Sequence, residues 1–353
     1  MRALLPILFP LLLIACTPAD DSLALQDDYL ERLANATEGT AAAPFDRATL
    51  SRYRMPPRRE RIREIAELRI GLLDLLIDTH RCPRLQQLIG ERNSALGKQL
   101  VASRRLAYEG DLLRALDDCL PHLKDERFHA TLAALATEKR SQLPDVFWNA
   151  LNASAEFERY LRFAEQPLSV SIREDSAALE ALEQLAALGS HLPQHLPPPA
   201  TRLDPLFQAL QASPQGGQLI ASLASLTHTL QAGSTLLEER LSRRPPCPLG
   251  KATERGRILQ NIFVKFYAGA LQPYLAQVHQ RGERWSAALR QLSTAPGIPD
   301  ATRGYLMQLA GPESSLWSDF ERATARHVEA WQNTLRSCGL APGQSGWPAP
   351  QRG

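Results

Sequence analysis

Residues Glu254 to Gln280 read ERGRILQNIFVKFYAGALQPYLAQVHQ. Ile258, Ile262, Phe266, Ala270 and Tyr274 recur at every fourth position, with Leu259, Phe263, Leu271 and Leu275 beside them. Side chains three and four apart share one face of an α-helix, so the stretch predicts a long helix with a broad apolar face. Pro273 lacks the N–H that the helix ladder uses and predicts a kink.

The same period returns on either side. In SSLWSDFERATARHVEAWQNTLRS, Trp317, Phe320, Thr324, Val328, Trp331 and Leu335 fall on one side, and His327 joins that apolar side as a hydrogen-bonded core histidine rather than a catalytic one. SLALQDDYLERLANATE spaces Leu23, Leu30 and Leu33 as a helix, with Ser22 as its cap. REIAELRIGLLDLLIDTH is apolar around most of its circumference, as a central helix would be. Strand-like alternation occurs convincingly only in PLSVSIRED, Pro167 to Asp175. The expected fold is all-α, an elongated multi-helix bundle, as one body or two helical subdomains, with a minor β element.

The proline-rich HLPQHLPPPATRLDP, residues 191–205, is the expected linker or loop, because proline density interrupts helix. It divides an N-terminal helical region, 22–190, from a C-terminal one, 206–339. Residues 340–353 have the composition of a disordered tail.

The N-terminus, MRALLPILFPLLLIAC, has one arginine and an apolar stretch from Ala3 to Ile14. That is shorter than the roughly 18–20 residues that span a bilayer, so a signal peptide is expected at 1–15. Leu13, Ile14, Ala15 and Cys16 resemble a bacterial lipobox, with Cys16 as the acylated residue and 16–21 as anchor and short tether. Three acyl chains exceed the two signals that stable anchoring needs. By resemblance to lipoproteins of enteric-type bacteria, Thr17 in place of aspartate implies the outer membrane, with the chain facing the periplasm. The membrane is then a partner through the N-terminal lipid. A formal net charge of +2 in 353 residues excludes the strongly basic surface of a nucleic-acid binder.

Beyond Cys16 the cysteines are Cys82, Cys119, Cys247 and Cys338. An even set in an oxidising compartment predicts two disulfides. Of the three connectivities, chain order and the placement of the cysteines at helix ends favour Cys82–Cys119 and Cys247–Cys338. Neither C-x-x-C nor zinc-finger spacing occurs.

The polar quartet Glu91, Arg92, Asn93 and Ser94 interrupts a helical pattern that begins at Pro83. It reads first as capping and networking between helices, with Tyr108 or Glu109 as neighbours. Its second reading is a ligand or partner site, since a carboxylate, a guanidinium and a hydroxyl can recognise a carboxylate- or amide-bearing ligand. Ser94 as a nucleophile would need an adjacent base, and His80 is the nearest histidine in sequence. Six arginines between Arg52 and Arg63 read as a solvated helix start, with Glu60 and Glu64 partly neutralising them, or as a contact for lipid phosphates. His191 and His195 have helical metal-ligand spacing, but Pro193 lies between them and no third ligand is evident. No glycine-rich phosphate loop, H-E-x-x-H or G-x-S-x-G motif is present, and no metal or cofactor is expected.

ELRIGLLDLL, Cys82, ERNSALGK, RRLAYE and Cys119 together resemble a proteobacterial lipoprotein family known only as a domain of unknown function. The resemblance covers roughly Arg54 to Leu120. It implies an envelope lipoprotein, supports Cys82 and Cys119 belonging together, and supplies no catalytic residues. The expected role is a non-enzymatic one exercised through protein or peptidoglycan contacts. The alternative is an envelope ligand-binding protein or hydrolase that uses Glu91 to Ser94.

Overall fold

The structure, a computed structural model, describes residues 21–66, 82–95, 97–171 and 176–347. Thirteen α-helices are described: α1 (Ser22–Thr37), α2 (Arg58–Arg61), α3 (Pro83–Asn93), α4 (Ala102–Cys119), α5 (Glu126–Asn152), α6 (Ala155–Leu161), α7 (Ala177–Ser190), α8 (Ala200–Ala212), α9 (Gln215–Arg243), α10 (Glu254–Ile262), α11 (Gln272–Thr294), α12 (Asp300–Ala310) and α13 (Leu316–Ser337). Among the described residues there is no strand, and no helix is long and apolar enough to cross a membrane.

The β element expected at Pro167 to Asp175 does not form in its described part. Instead the buried Leu168 donates its N–H to Ser222 Oγ at 2.9 Å and accepts from the Tyr274 hydroxyl at 3.0 Å. These bonds to α9 and α11 satisfy the backbone that a strand neighbour would otherwise have paired.

The centre of the described bundle is α9, which packs against α1, α6, α11 and α13. Its buried residues lie on more than one face, and many are small: Gly216, Gly217, Ser222, Ser225, Thr229, Gly233 and Ser234. Small side chains let several helices approach its backbone. The helix expected over REIAELRIGLLDLLIDTH lies outside the described residues beyond Ala66, and Arg63 to Ala66 are not helical.

One hydrophobic core joins the two sides of the proline-rich stretch. Helix α7 packs on α11 and α4 packs on α8, so two separate helical subdomains are not seen. The stretch itself is a shorter loop than expected. Ala200–Ala212 is helix with Pro205 inside it, held down by the buried Leu203, Phe207 and Leu210. Pro197 is tied to α4 by Arg114 Nη1, 2.9 Å from its carbonyl. The expected disordered tail is also partly ordered. Leu340 and Ala341 are buried, Gln260 Nε2 donates to the carbonyls of Leu340 and Gly346 at 3.2 and 3.1 Å, and Trp347 stacks edge-on to Phe263.

The fold-deciding stretch departs from its expected phase. Between α10 and α11, Phe263–Leu271 is a π-helix, and the Gln272 N–H bonds to Tyr267 O five residues back. The wider turn meets Pro273, which has no N–H to give and whose ring would crowd a preceding carbonyl. The buried residues therefore become Leu259, Ile262, Tyr267, Leu271, Tyr274 and Leu275, while Ile258 is exposed and Phe266 and Ala270 only half-buried. Capping at α1 shifts similarly: Asp21 accepts from the N–H groups of Leu23 and Ala24, and Ser22 is buried one residue inside.

Both disulfides close helix ends. Cys82, at the N-cap of α3, joins Cys119, the last residue of α4, with 5.5 Å between Cα atoms. Cys247, ahead of α10, joins Cys338, the C-cap of α13, at 5.1 Å.

Candidate functional site

The quartet at the end of α3 is exposed apart from the half-buried Arg92. Ser94 Oγ donates to Glu91 O at 2.7 Å and accepts from the Gly97 N–H at 3.0 Å. Asn93 Nδ2 donates to Ile89 O at 2.8 Å, and Arg92 Nη1 donates to Gly97 O. The Ser94 bond occupies a carbonyl that a helix end leaves open, and the Arg92 bond ties the helix to the turn that follows it. Glu91 accepts from Gln87 Nε2 at 2.7 Å. The expected neighbour Glu109 belongs elsewhere: it is buried on α4 and pairs with Lys139 of α5 at 3.0 Å. Tyr108 is half-buried, and burial first, then Glu109 and Glu91, push its hydroxyl well above the usual phenol range. His80 lies outside the described residues.

Glu91 and Ser94 border an open cleft of about 720 Å³, whose far wall is α8 with Asp204 and Phe207. A second cavity of about 520 Å³ continues beyond Val101, floored by Val146 and Ala150 of α5 and edged by Ile62. The two share Leu100, Val101, Ser103 and Glu156. Val101 forms the ridge between them and is 60% exposed. It stands directly ahead of α4, which has no side-chain cap. Asp204 holds the ridge in place by accepting from Ser103 Oγ at 2.8 Å and pairing with Arg104 at 3.3 Å. Arg58, Arg105 and Glu156 line the second cavity and make no ion pair among the described residues.

This arrangement supplies contacts of three kinds: an apolar ridge, two unpaired guanidiniums and a carboxylate. Ser94 and Ser103 are the hydroxyls of the cleft, and both are already engaged. Among the described lining residues neither has the base with its orienting partner that nucleophilic catalysis uses. Val101, Glu156 and Asp204 leave no motif in the sequence, because they meet only through packing of α4, α6 and α8.

The arginine-rich run divides by position. Arg61 is buried and donates to Pro56 O at 2.7 Å, Asn152 O at 2.6 Å and Glu158 Oε1 at 2.5 Å. Arg63 exchanges backbone bonds with the Asn149 amide at 2.8 Å. Arg52, Arg54, Arg58 and Arg59 are exposed. His191 and His195 stack with ring centroids 5.2 Å apart on the loop after α7, and His191 Nδ1 lies 2.6 Å from Ala187 O.

His327 is buried at the centre of a polar chain. Trp331 Nε1 donates to Tyr29 Oη at 2.9 Å, and Tyr29 Oη lies 2.6 Å from His327 Nε2. On the other side, Ser234 Oγ lies 3.2 Å from His327 Nδ1 and donates to Leu230 O at 2.6 Å. One proton order satisfies every member: tryptophan N–H to tyrosine oxygen, tyrosine O–H to Nε2, Nδ1–H to serine oxygen, serine O–H to the carbonyl. Burial lowers the imidazole to about 3 and raises the Tyr29 hydroxyl well above the phenol range. Tyr267, delivered by the π-helix, covers the imidazole with ring centroids 5.1 Å apart. Gly233 permits this packing, since a Cβ there would lie 2.7 Å from His327 Cε1.

Fold and cleft define an all-helical protein, clamped by two disulfides, with an open two-part groove on its surface. Over residues 26–342 the chain matches the family described as "Protein of unknown function (DUF3080)", and it belongs to that family. No curated protein and no solved structure matches it.

Proposed function

We propose that this chain is a lipid-anchored protein of a bacterial outer membrane, facing the periplasm, which works by holding an envelope partner in the groove around Val101. The partner is an extended segment of protein or of peptidoglycan. One observation carries the binding role: an apolar side chain stands exposed between two cavities, beside charged groups that have no ion-pair partner among the described residues. Adjoining cavities with an apolar wall and a few convergent polar groups are the usual form of a binding site. The anchor rests on the lipobox-like Leu13 to Cys16 and on the apolar stretch before it, and the oxidising compartment on the even cysteine set. Engagement of Ser94 in the helix cap favours binding over hydrolysis at that position.

Two measurements test this. Cys16→Ser should release the chain from membranes or block its maturation; normal membrane attachment in that variant would overturn the anchor. A photo-crosslinker at Val101 in intact envelopes should yield a discrete adduct that a crosslinker at the exposed Met307 does not. Identical adducts at both positions would overturn the groove.

A further inference from the structure

The loop between α9 and α10 carries the most exposed large apolar side chain among the described residues, Leu249 at 88%. It does not sit on a loose segment. The Cys247–Cys338 bridge fastens the loop to the end of α13. The Gly250 N–H closes a turn onto Cys247 O at 3.0 Å, with Gly250 at φ +68° where glycine is favoured. Thr253 Oγ1 donates to Pro246 O at 2.7 Å while capping α10. Pro246 and Cys247 are buried beneath the turn, and Pro245, Pro248 and Leu249 stand out from it.

Cations surround this apolar tip. The side chains of Arg243 and Arg244 are 78% and 79% exposed, and Lys251 is exposed without an ion pair among the described residues. Between Arg240 and Thr253 the sequence contains no aspartate or glutamate. Two carboxylates approach from neighbouring turns. Glu239 lies 3.6 Å from Arg243, and Glu38 lies 3.8 Å from Arg244 while also serving Arg240 and Arg255. Such exposed pairs are weak, so the tip keeps its positive character.

We propose that this clamped tip docks on an anionic bilayer. Leu249, with Pro245 and Pro248, enters the boundary between headgroups and acyl chains, and Arg243, Arg244 and Lys251 meet lipid phosphates. Convex shape and like charge favour this occupant over a protein. A fluid anionic surface closes around an apolar point and supplies phosphates wherever cations lie, whereas a protein partner must present a matching acidic socket. The disulfide-held turn loses little freedom on docking. The arginines of Arg52 to Arg63 suit the role less well, since Arg61 is buried and Arg63 donates to the carbonyls of Gly297 and Ile298. The tip acts whether or not Cys16 is acylated.

Vesicle flotation of the full chain carrying Cys16→Ser tests the proposal, with every comparison made in that background so that any N-terminal contribution cancels. The chain should float with phosphatidylcholine–phosphatidylglycerol vesicles more than with phosphatidylcholine alone. R243S/R244S/K251S should weaken that binding on the order of a hundred-fold, and Leu249→Ser about ten-fold. All four positions are exposed, and unchanged circular dichroism verifies folding of the variants. Equal flotation with both vesicle types, or equal flotation of parent and Leu249→Ser, would overturn the proposal. So would absence of flotation combined with a Leu249-dependent crosslink to a protein, which would assign the tip to a protein socket.

Discussion

The Tyr29 hydroxyl lies 2.6 Å from His327 Nε2 across 298 residues of sequence, and the contact joins the first described helix to the last. Tyr29→Phe removes the O–H donor but leaves the Trp331 N–H within 3.1 Å of the same nitrogen. The expected loss is therefore modest, about 1–2 kcal/mol in urea denaturation. His327→Ala removes the ring that Tyr267 covers and leaves Tyr29 without its acceptor, so its expected loss exceeds 3 kcal/mol. Equal losses for the two variants would refute the proton order assigned above.

The same histidine makes stability depend on pH. Its folded-state value of about 3 lies below the ordinary 6.5 because burial disfavours the cation. Between those values the unfolded chain binds a proton that the folded chain refuses. Stability is full above pH 6.5 and falls by about 1.4 kcal/mol per pH unit as the medium acidifies toward 3. Equilibrium unfolding at pH 7.5 and pH 5 should differ by about 2 kcal/mol from this group, and His327→Phe should lack that component.

Much of the helical plan is legible in the sequence because burial on one side of a helix leaves a three-to-four period. On α13 His327 is buried and hydrogen-bonded as read, while Val328, read onto the same side, is exposed. Hydropathy alone favours valine there, and only the distant partners Tyr29 and Ser234 make burial of the imidazole affordable. The phase beyond Ile262 is lost for a different reason, since a π turn obeys hydrogen-bond geometry around Pro273 and not an apolar repeat. The caps of the Glu91–Ser94 quartet are legible because they are local. The groove is not, because its walls come from helices distant in sequence.

The two bridges should differ in worth. Loop-closure entropy assigns about 4 kcal/mol to Cys82–Cys119 and about 5 kcal/mol to Cys247–Cys338, whose loop is longer, 91 residues against 37. Paired Cys→Ala variants should rank in that order by denaturation midpoint. The reverse order would show that residual structure in the unfolded chain governs the effect.

Within the arginine run the positions should separate sharply. Arg61→Leu leaves two carbonyls and the Glu158 carboxylate without their donor, at an expected cost of about 3–5 kcal/mol. Arg59→Ala, at an exposed position, should stay within about 0.5 kcal/mol of the parent. Comparable losses would mean that the run acts through its summed charge.

At the groove, Ser94→Ala should cost about 1 kcal/mol by removing one cap hydroxyl while leaving partner capture intact. Val101→Asp should leave stability nearly unchanged and abolish capture. Loss of capture in Ser94→Ala at full stability would return the hydroxyl to a direct role.

The π-helix at Phe263–Leu271 sets an angular offset between α10 and α11. Each residue of an α-helix advances about 100° around the axis, so one surplus residue in a turn rotates everything upstream against everything downstream. The rod can thus aim Gln260 at the C-terminal segment while Trp285 and Leu289 enter the core from a helix that packs on α7. Excising a single residue from this segment would leave the composition almost unchanged, yet it would turn α10 away from the disulfide and the ordered end of the chain. Length, more than residue type, is what this segment has to keep.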